Sequence, residues 1–99
     1  GRTPIYNKGQ GKDHWSIGSI MFMGSGIRGN RVIGITDNKQ LPTPVNAKSL
    51  ANDKEKGIRV RPEHIHKALR EFSGIDKHKF SSQFPLKVSD KDRLQGLFG

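Results

Sequence analysis

The chain has 99 residues, no cysteine and a formal net charge of +9. The absence of cysteine excludes disulfides and thiolate metal sites, and it makes redox chemistry a poor candidate. Hydrophobic residues make up only 31% of the sequence, which predicts a thin core. The longest apolar run is far shorter than the roughly 20 residues of a membrane-spanning helix, so no membrane span is predicted.

The positive charge favours an anionic partner, but its distribution does not favour nucleic acid. Basic residues extend from Arg2 to Arg93 without a run of five, and the densest stretch, KEKGIRVR at 54–61, is interrupted by other residue types. A solvated surface is the better interpretation. A small basic nucleic-acid-binding module stays open as a lower-ranked alternative.

The first 37 residues predict a loop followed by a pair of strands. Residues 1–14 are rich in glycine, proline and polar groups and are expected to form an extended loop. In the 15–37 segment, WSIGSIMFM (15–23) is typical of a strand buried on both faces, and RVIGITD (31–37) is rich in β-branched residues. The glycine-rich GSGIRGN between them lacks the Lys-Ser/Thr ending of a phosphate loop and is read as a turn.

The remainder predicts one helix between irregular segments. Residues 38–61, with Pro42 and Pro44, are expected to form a surface loop. The helix is placed at 62–73, from Pro62 to the stop signal at Gly74, with a Glu63–Lys67 ion pair on its surface. Residues 74–99 have isolated apolar anchors in a polar background and are read as a tail that packs on other polypeptide.

Aromatic and histidine residues also have simple structural interpretations. Trp15 and Phe22 are expected to pack in the core rather than to stack on bases. His64 and His66 are two residues apart on the helix and point in different directions, so they cannot share a metal ion. They are predicted to be surface histidines, as is His78 between two lysines.

The order of several motifs resembles a known bacterial family. These are GRTP, YNKGQGKDHW, IMFMGSGIRGNRVIGITD and RPEHIHKALREFSGID, which together reach from Gly1 to about Leu86. They are similar to exported, sulfatase-like proteins known as domain of unknown function fifteen-hundred-and-one, within the alkaline phosphatase superfamily. The resemblance implies an α/β fold and a periplasmic or secreted location.

The resemblance further implies that the chain is the C-terminal part of a larger three-layer α/β sandwich. Two strands, one clear helix and long loops are too little to form such a fold, so the chain is expected to be incomplete on its own. Its partner is then the preceding part of the same protein or another chain, and a homo-oligomer is kept as a further arrangement. An independently folding 99-residue gene product would contradict this expectation.

Site residues follow from the resemblance position by position. Asp13 and His14 match a late Asp-His pair that implies a divalent metal site, and zinc suits an imidazole beside a carboxylate. Arg2 and Thr3 are candidates for binding an anionic phosphate or sulfate ester. In the family that the chain resembles, the motif ending at the position of Gly1 is Glu-Phe-Gly, where the superfamily usually has Asp-His-Gly. No catalytic residue is assigned within this segment.

Two functions remain open on this basis. The first is a metal-dependent phosphate or sulfate ester hydrolase that is inactive as this segment alone. The second is a non-catalytic exported structural or assembly component with the same fold, which the anchor-rich tail favours.

Overall fold

A computed structural model describes residues 5–99 and contains a single α-helix. This helix, α1, spans Pro62–Phe72. Two short 3₁₀ helices follow it, at Ser81–Gln83 and Asp90–Asp92. Between Ile5 and Gly99 the backbone forms five isolated β-bridges and no strand. The predicted single clear helix and the long loops are therefore confirmed, whereas the two predicted strands are not found among residues 5–99.

Local signals determine both ends of α1. Pro62 is its first residue, and the helix ends at Ser73 followed by Gly74 with φ of 73°. The Gly74 N–H donates to the Glu71 carbonyl, and the Ile75 N–H donates to the Arg70 carbonyl, both at 3.1 Å. This is a Schellman motif, in which glycine adopts the left-handed conformation without strain. The prediction of a helix at 62–73 is correct to within one residue.

The predicted ion pair between Glu63 and Lys67 is wrong. The Lys67 ammonium instead lies 2.8 Å from both carboxylate oxygens of Asp76, while Glu63 lies 3.8 Å from the Arg61 guanidinium. The turn after α1 brings Asp76 back beside the helix, where it is more buried than Glu63. A carboxylate in this less solvated position attracts the cation more strongly.

The small core is built around the buried face of α1. Its central residue on the helix is Ala68, which is 4% exposed. Ala68 packs with residues from distant parts of the chain, and the buried cluster is completed by Leu50, Leu94 and Leu97. Leu94 and Leu97 belong to the predicted packing tail, so part of this tail packs on the chain itself rather than on a partner.

The segment predicted as a surface loop, 38–61, is the most buried irregular part of the chain. Thr43, Val45, Ala47 and Leu50 are all buried. The prediction that it lacks regular secondary structure is correct, but its surface position is wrong. Backbone hydrogen bonds fold the segment back on itself, and Val45 pairs reciprocally with Ile58 at 2.8–2.9 Å. Between these two residues Ala47 and Leu50 are buried, while most of the other side chains are exposed.

Asparagine and aspartate side chains close the turns of this segment. Oδ1 of Asp37, Asn46 and Asp53 each accepts two backbone N–H groups from residues two to four positions ahead, at 2.8–3.2 Å. Hydrogen bonds from the N–H groups lower the pKa of both carboxyls, foremost that of Leu41 at Asp37 and that of Lys56 at Asp53. Such Asx turns replace backbone partners that an irregular segment otherwise lacks.

The predicted strand pair at 15–37 does not form among the described residues. No backbone group of residues 15–23 hydrogen-bonds to another backbone group between residues 5 and 99. Several large apolar side chains of this region lie on the surface, with exposures of 67% at Ile20, 81% at Met21, 83% at Met23 and 91% at Val32. A strand requires a neighbouring backbone to accept and donate its hydrogen bonds. Among the described residues no backbone pairs with 15–23, and residues 31–37 pair with the chain that follows them, through an isolated bridge between Thr36 and Pro42.

The unpaired segments leave the molecule expanded for its size. Its accessible surface is 8068 Å², whereas a folded monomer of this mass exposes about 5,700 Å². The radius of gyration is 15.7 Å, against about 13 Å for a compact domain of 100 residues. None of the helices in residues 5–99 combines the length and the hydropathy required to cross a membrane.

Candidate functional site

A tight turn centred on Asn7 builds the corner that contains Asp13 and His14. Asn7 Oδ1 accepts the N–H groups of Gly9 and Gly11, both at 3.0 Å, and the Asn7 N–H donates to the Gly11 carbonyl at 2.8 Å. Gln10 completes the turn with a positive φ of 61°. The chain then reverses direction, and Tyr6 forms an antiparallel bridge with Lys12.

Asn7 also holds the candidate carboxylate. Its Nδ2 donates to Asp13 Oδ1 at 3.0 Å, so the same amide that closes the turn orients Asp13. Both Asp13 and His14 are exposed to solvent. The Lys12 ammonium lies 4.8 Å from the centre of the Tyr6 ring, in a cation–π contact beside this carboxylate.

Trp15 anchors the other side of the corner. Its indole Nε1–H donates to the Gln40 carbonyl at 2.9 Å, and the side chain is half-buried. Gln40 belongs to the Asp37 turn, which repeats the Asn7 turn closely: an Asx side chain accepts from positions two and four ahead, and a glutamine adopts positive φ. His14 is therefore placed between an Asx turn and an anchored indole.

Phe22, like Trp15, contacts a distant part of the chain. It is half-buried and meets Phe98 edge-to-face, with ring centroids 6.2 Å apart. The expected core packing of these two aromatic residues is thus found only in part. Their inner faces contact the chain, while their remaining surface is left to solvent.

The donor set of the corner does not complete a metal site within residues 5–99. A catalytic zinc ion takes three protein ligands and a structural one takes four. No group of three His, Asp or Glu side chains in this range lies close enough together to hold an ion. Asp13 and His14 are therefore two candidate donors without a third His, Asp or Glu beside them among residues 5–99. Arg2 and Thr3, the predicted ester-binding residues, lie outside the described residues.

The remaining histidines divide between surface and interior. His66 and His78 are exposed, as predicted. The prediction of a surface position for His64 is wrong, because this residue is only 4% exposed. Its ring Nδ1 accepts the Arg61 N–H at 2.9 Å, and this contact at the beginning of α1 draws the imidazole inward.

A shallow depression of about 330 Å³ is lined by neither Asp13 nor His14. It lies between the end of α1 and the loop that follows. Its lining residues are Arg70, Ile75, His78, Phe80, Ser81 and Phe84. Three of them are large apolar residues that remain at least half exposed.

No protein-family model, curated protein or solved structure matches this chain. The resemblance to the sulfatase-like family consequently depends on the sequence motifs alone. Sequence reasoning also missed Asn7, although the signal is present: NKGQG and the later DNKQL have the same turn-forming order.

Proposed function

We propose that this chain is the C-terminal part of an exported α/β protein of the alkaline phosphatase superfamily. In the longer protein, residues 15–23 are inserted as a strand into a sheet formed by other polypeptide. Asp13 and His14 then lie at the beginning of that strand and contribute to a divalent metal site for phosphate or sulfate ester hydrolysis. The chain alone is inactive under this proposal.

The observation that supports this proposal is the unpaired state of residues 15–23. Their backbone groups have no backbone partner in residues 5–99, although the sequence is strongly apolar. Burying a side chain such as Ile20, Met21 or Met23 contributes about 1.5–3 kcal/mol each. A sheet edge supplied by other polypeptide would satisfy the backbone and the side chains at the same time.

The proposed chemistry assigns separate roles to the site residues. A divalent ion would polarise the ester oxygen and activate a nucleophile or water. His14 would provide a neutral imidazole ligand, and Asp13, already oriented by Asn7, would ligate the ion or orient the ring. The guanidinium of Arg2 and the hydroxyl of Thr3 would bind the anionic group of the ester.

The metal role is tested in the full-length protein by elemental analysis of purified wild type and of the His14→Ala variant. We expect bound metal in the wild type and a loss of at least half of it in the variant. The matched control is His66→Ala, because His66 is an exposed histidine on α1. Equal metal content in all three proteins would remove the ligand role from His14.

Two further measurements separate the parts of the proposal. Amide hydrogen exchange compares residues 15–23 in the 99-residue chain and in the full-length protein, where strand insertion predicts much slower exchange. Fast exchange in both proteins contradicts the insertion.

Phosphatase and sulfatase assays with several divalent ions test catalysis separately. A protein that protects residues 15–23 but shows no turnover is the non-catalytic assembly component instead.

A further inference from the structure

A buried histidine caps the N-terminal end of α1 by accepting a backbone hydrogen bond. His64 is 4% exposed, and its Nδ1 accepts the Arg61 N–H at 2.9 Å. In return, the His64 N–H donates to the Arg61 carbonyl at 3.0 Å. This reciprocal pair resembles a capping box, with an imidazole at the position where glutamate or glutamine normally accepts.

The hydrogen bond fixes the protonation state of the ring. An N–H donor can only meet a nitrogen that carries a lone pair, so Nδ1 is unprotonated and the proton of the neutral ring is on Nε2. If the imidazole became cationic, Nδ1 would carry a proton and could no longer accept. The Arg61 N–H would then lose its partner at a position that is partly buried.

Three charged side chains act on His64. The Arg61 guanidinium lies on the residue before α1, Glu63 lies in its first turn, and Asp92 lies on the second 3₁₀ helix. Burial is the main cause that lowers the pKa of His64 and Arg61 is the next, while Asp92 and Glu63 oppose them. The N-terminal end of the helix dipole also disfavours a cation at this position.

We propose that His64 is a pH-sensitive cap, whose protonation removes the acceptor for Arg61 and loosens the first turn of α1. The effect extends to the tail, because Arg61 Nη2 also donates to the Lys87 carbonyl at 3.3 Å. Loosening Arg61 therefore weakens the attachment of the segment that carries Asp92. This inference uses contacts within α1 and the tail, and it is independent of the proposed hydrolase function.

The test is an NMR titration of the ¹⁵N,¹³C-labelled chain from pH 8 to pH 5. At pH 8 we expect the His64 ring in the Nε2–H form. As the pH falls, the Arg61 amide and the Cα shifts of residues 62–65 should move with the same midpoint as the His64 ring. That midpoint should lie below about 6.5, the ordinary value for histidine.

Two variants separate the cap from other pH effects. In His64→Gln the side-chain carbonyl can still accept from Arg61 but does not titrate, so the Arg61 amide should stay constant from pH 8 to pH 5. In the control variant His66→Gln, which replaces an exposed histidine, the Arg61 amide shift should change with pH as it does in the wild type.

Two results would overturn the proposal. One is an Nδ1–H ring in the wild type, which needs no variant and decides the question even if His64→Gln fails to fold. The other is a pH-dependent Arg61 amide that persists in folded His64→Gln.

Discussion

The phenyl ring of Phe72, the last residue of α1, stacks on the ring of Phe98, with centroids 4.3 Å apart and planes 15° apart. Phe22 meets the same Phe98 ring edge-on. Next to this ring, Gly99 donates its N–H to the Gly26 carbonyl at 2.9 Å. One residue near the end of the chain thus connects the helix to the unpaired 15–23 segment.

Replacing Phe98 by alanine should lower the free energy of unfolding by about 2–4 kcal/mol, since it removes two aromatic contacts and leaves a gap beside the core. Urea denaturation measures this change. The matched control is Phe84→Ala, because the Phe84 side chain is 68% exposed. It should change stability by less than about 0.5 kcal/mol. Similar losses in both variants would mean that the Phe98 ring does not stabilise the fold.

Gly57 lies where two backbone segments approach closely. A Cβ atom at this position would lie 2.8 Å from the Val45 nitrogen and would also collide with the Asp53 carbonyl oxygen. Because both obstacles are backbone atoms, they cannot rotate away, and Gly57→Ala should destabilise the chain by about 1–3 kcal/mol.

The control for this prediction is Gly18→Ala, where a Cβ atom would meet no atom within 4 Å. Thermal unfolding followed by circular dichroism compares the two variants. If the Gly57→Ala protein is as stable as Gly18→Ala, the backbone around Gly57 does not pack as closely as the 2.8 Å approach to the Val45 nitrogen requires.

Asp37 should make stability depend on pH in the acid range. Its pKa is lowered, foremost by the hydrogen bond from the Leu41 N–H. The folded state therefore favours the carboxylate more than the unfolded state does. The stabilisation is present above the unfolded value of about 3.9 and is lost as the pH falls through the lower folded pKa.

Two measurements check this prediction. An NMR titration of the Asp37 carboxyl carbon should give a midpoint below 3.9, and a midpoint at or above that value would contradict it. The Asp37→Asn variant keeps an acceptor oxygen for the turn but does not titrate. Its urea midpoint should consequently fall less than that of the wild type between pH 5 and pH 2.

The parts that could be predicted from sequence are those fixed by near neighbours. The start at Pro62 and the Schellman stop at Gly74 use hydrogen bonds within a few residues, and the amphipathic spacing of the helix does the rest. The glycine turn is confirmed for the same reason, since the Ile27 N–H donates to the Gly24 carbonyl at 3.3 Å. The Asx turns depend on equally local contacts, between a side chain and N–H groups two to four positions ahead.

The interior could not be predicted in this way. The spacing of His64 from His66 argues only against a shared metal ion, and it does not indicate burial. The contact that buries His64 depends on the path of the backbone at Arg61. The same holds for 38–61, where proline and polar residues indicated a loop but not the inward direction of Val45 and Leu50. For the candidate site, the family resemblance of the motifs suggests Asp13 and His14, and only the structure shows that Asn7 orients Asp13.

The helix, its two ends, the glycine turn at 24–30 and the small size of the core can be inferred from the chain alone, because they depend on composition and on contacts within about four positions. Burial of particular residues, the return of the tail to Leu50 and Ala68, and the unpaired backbone of 15–23 are visible only in the folded molecule. Strand pairing and burial depend on backbone and apolar surface from distant positions, and no local pattern of residues specifies those partners.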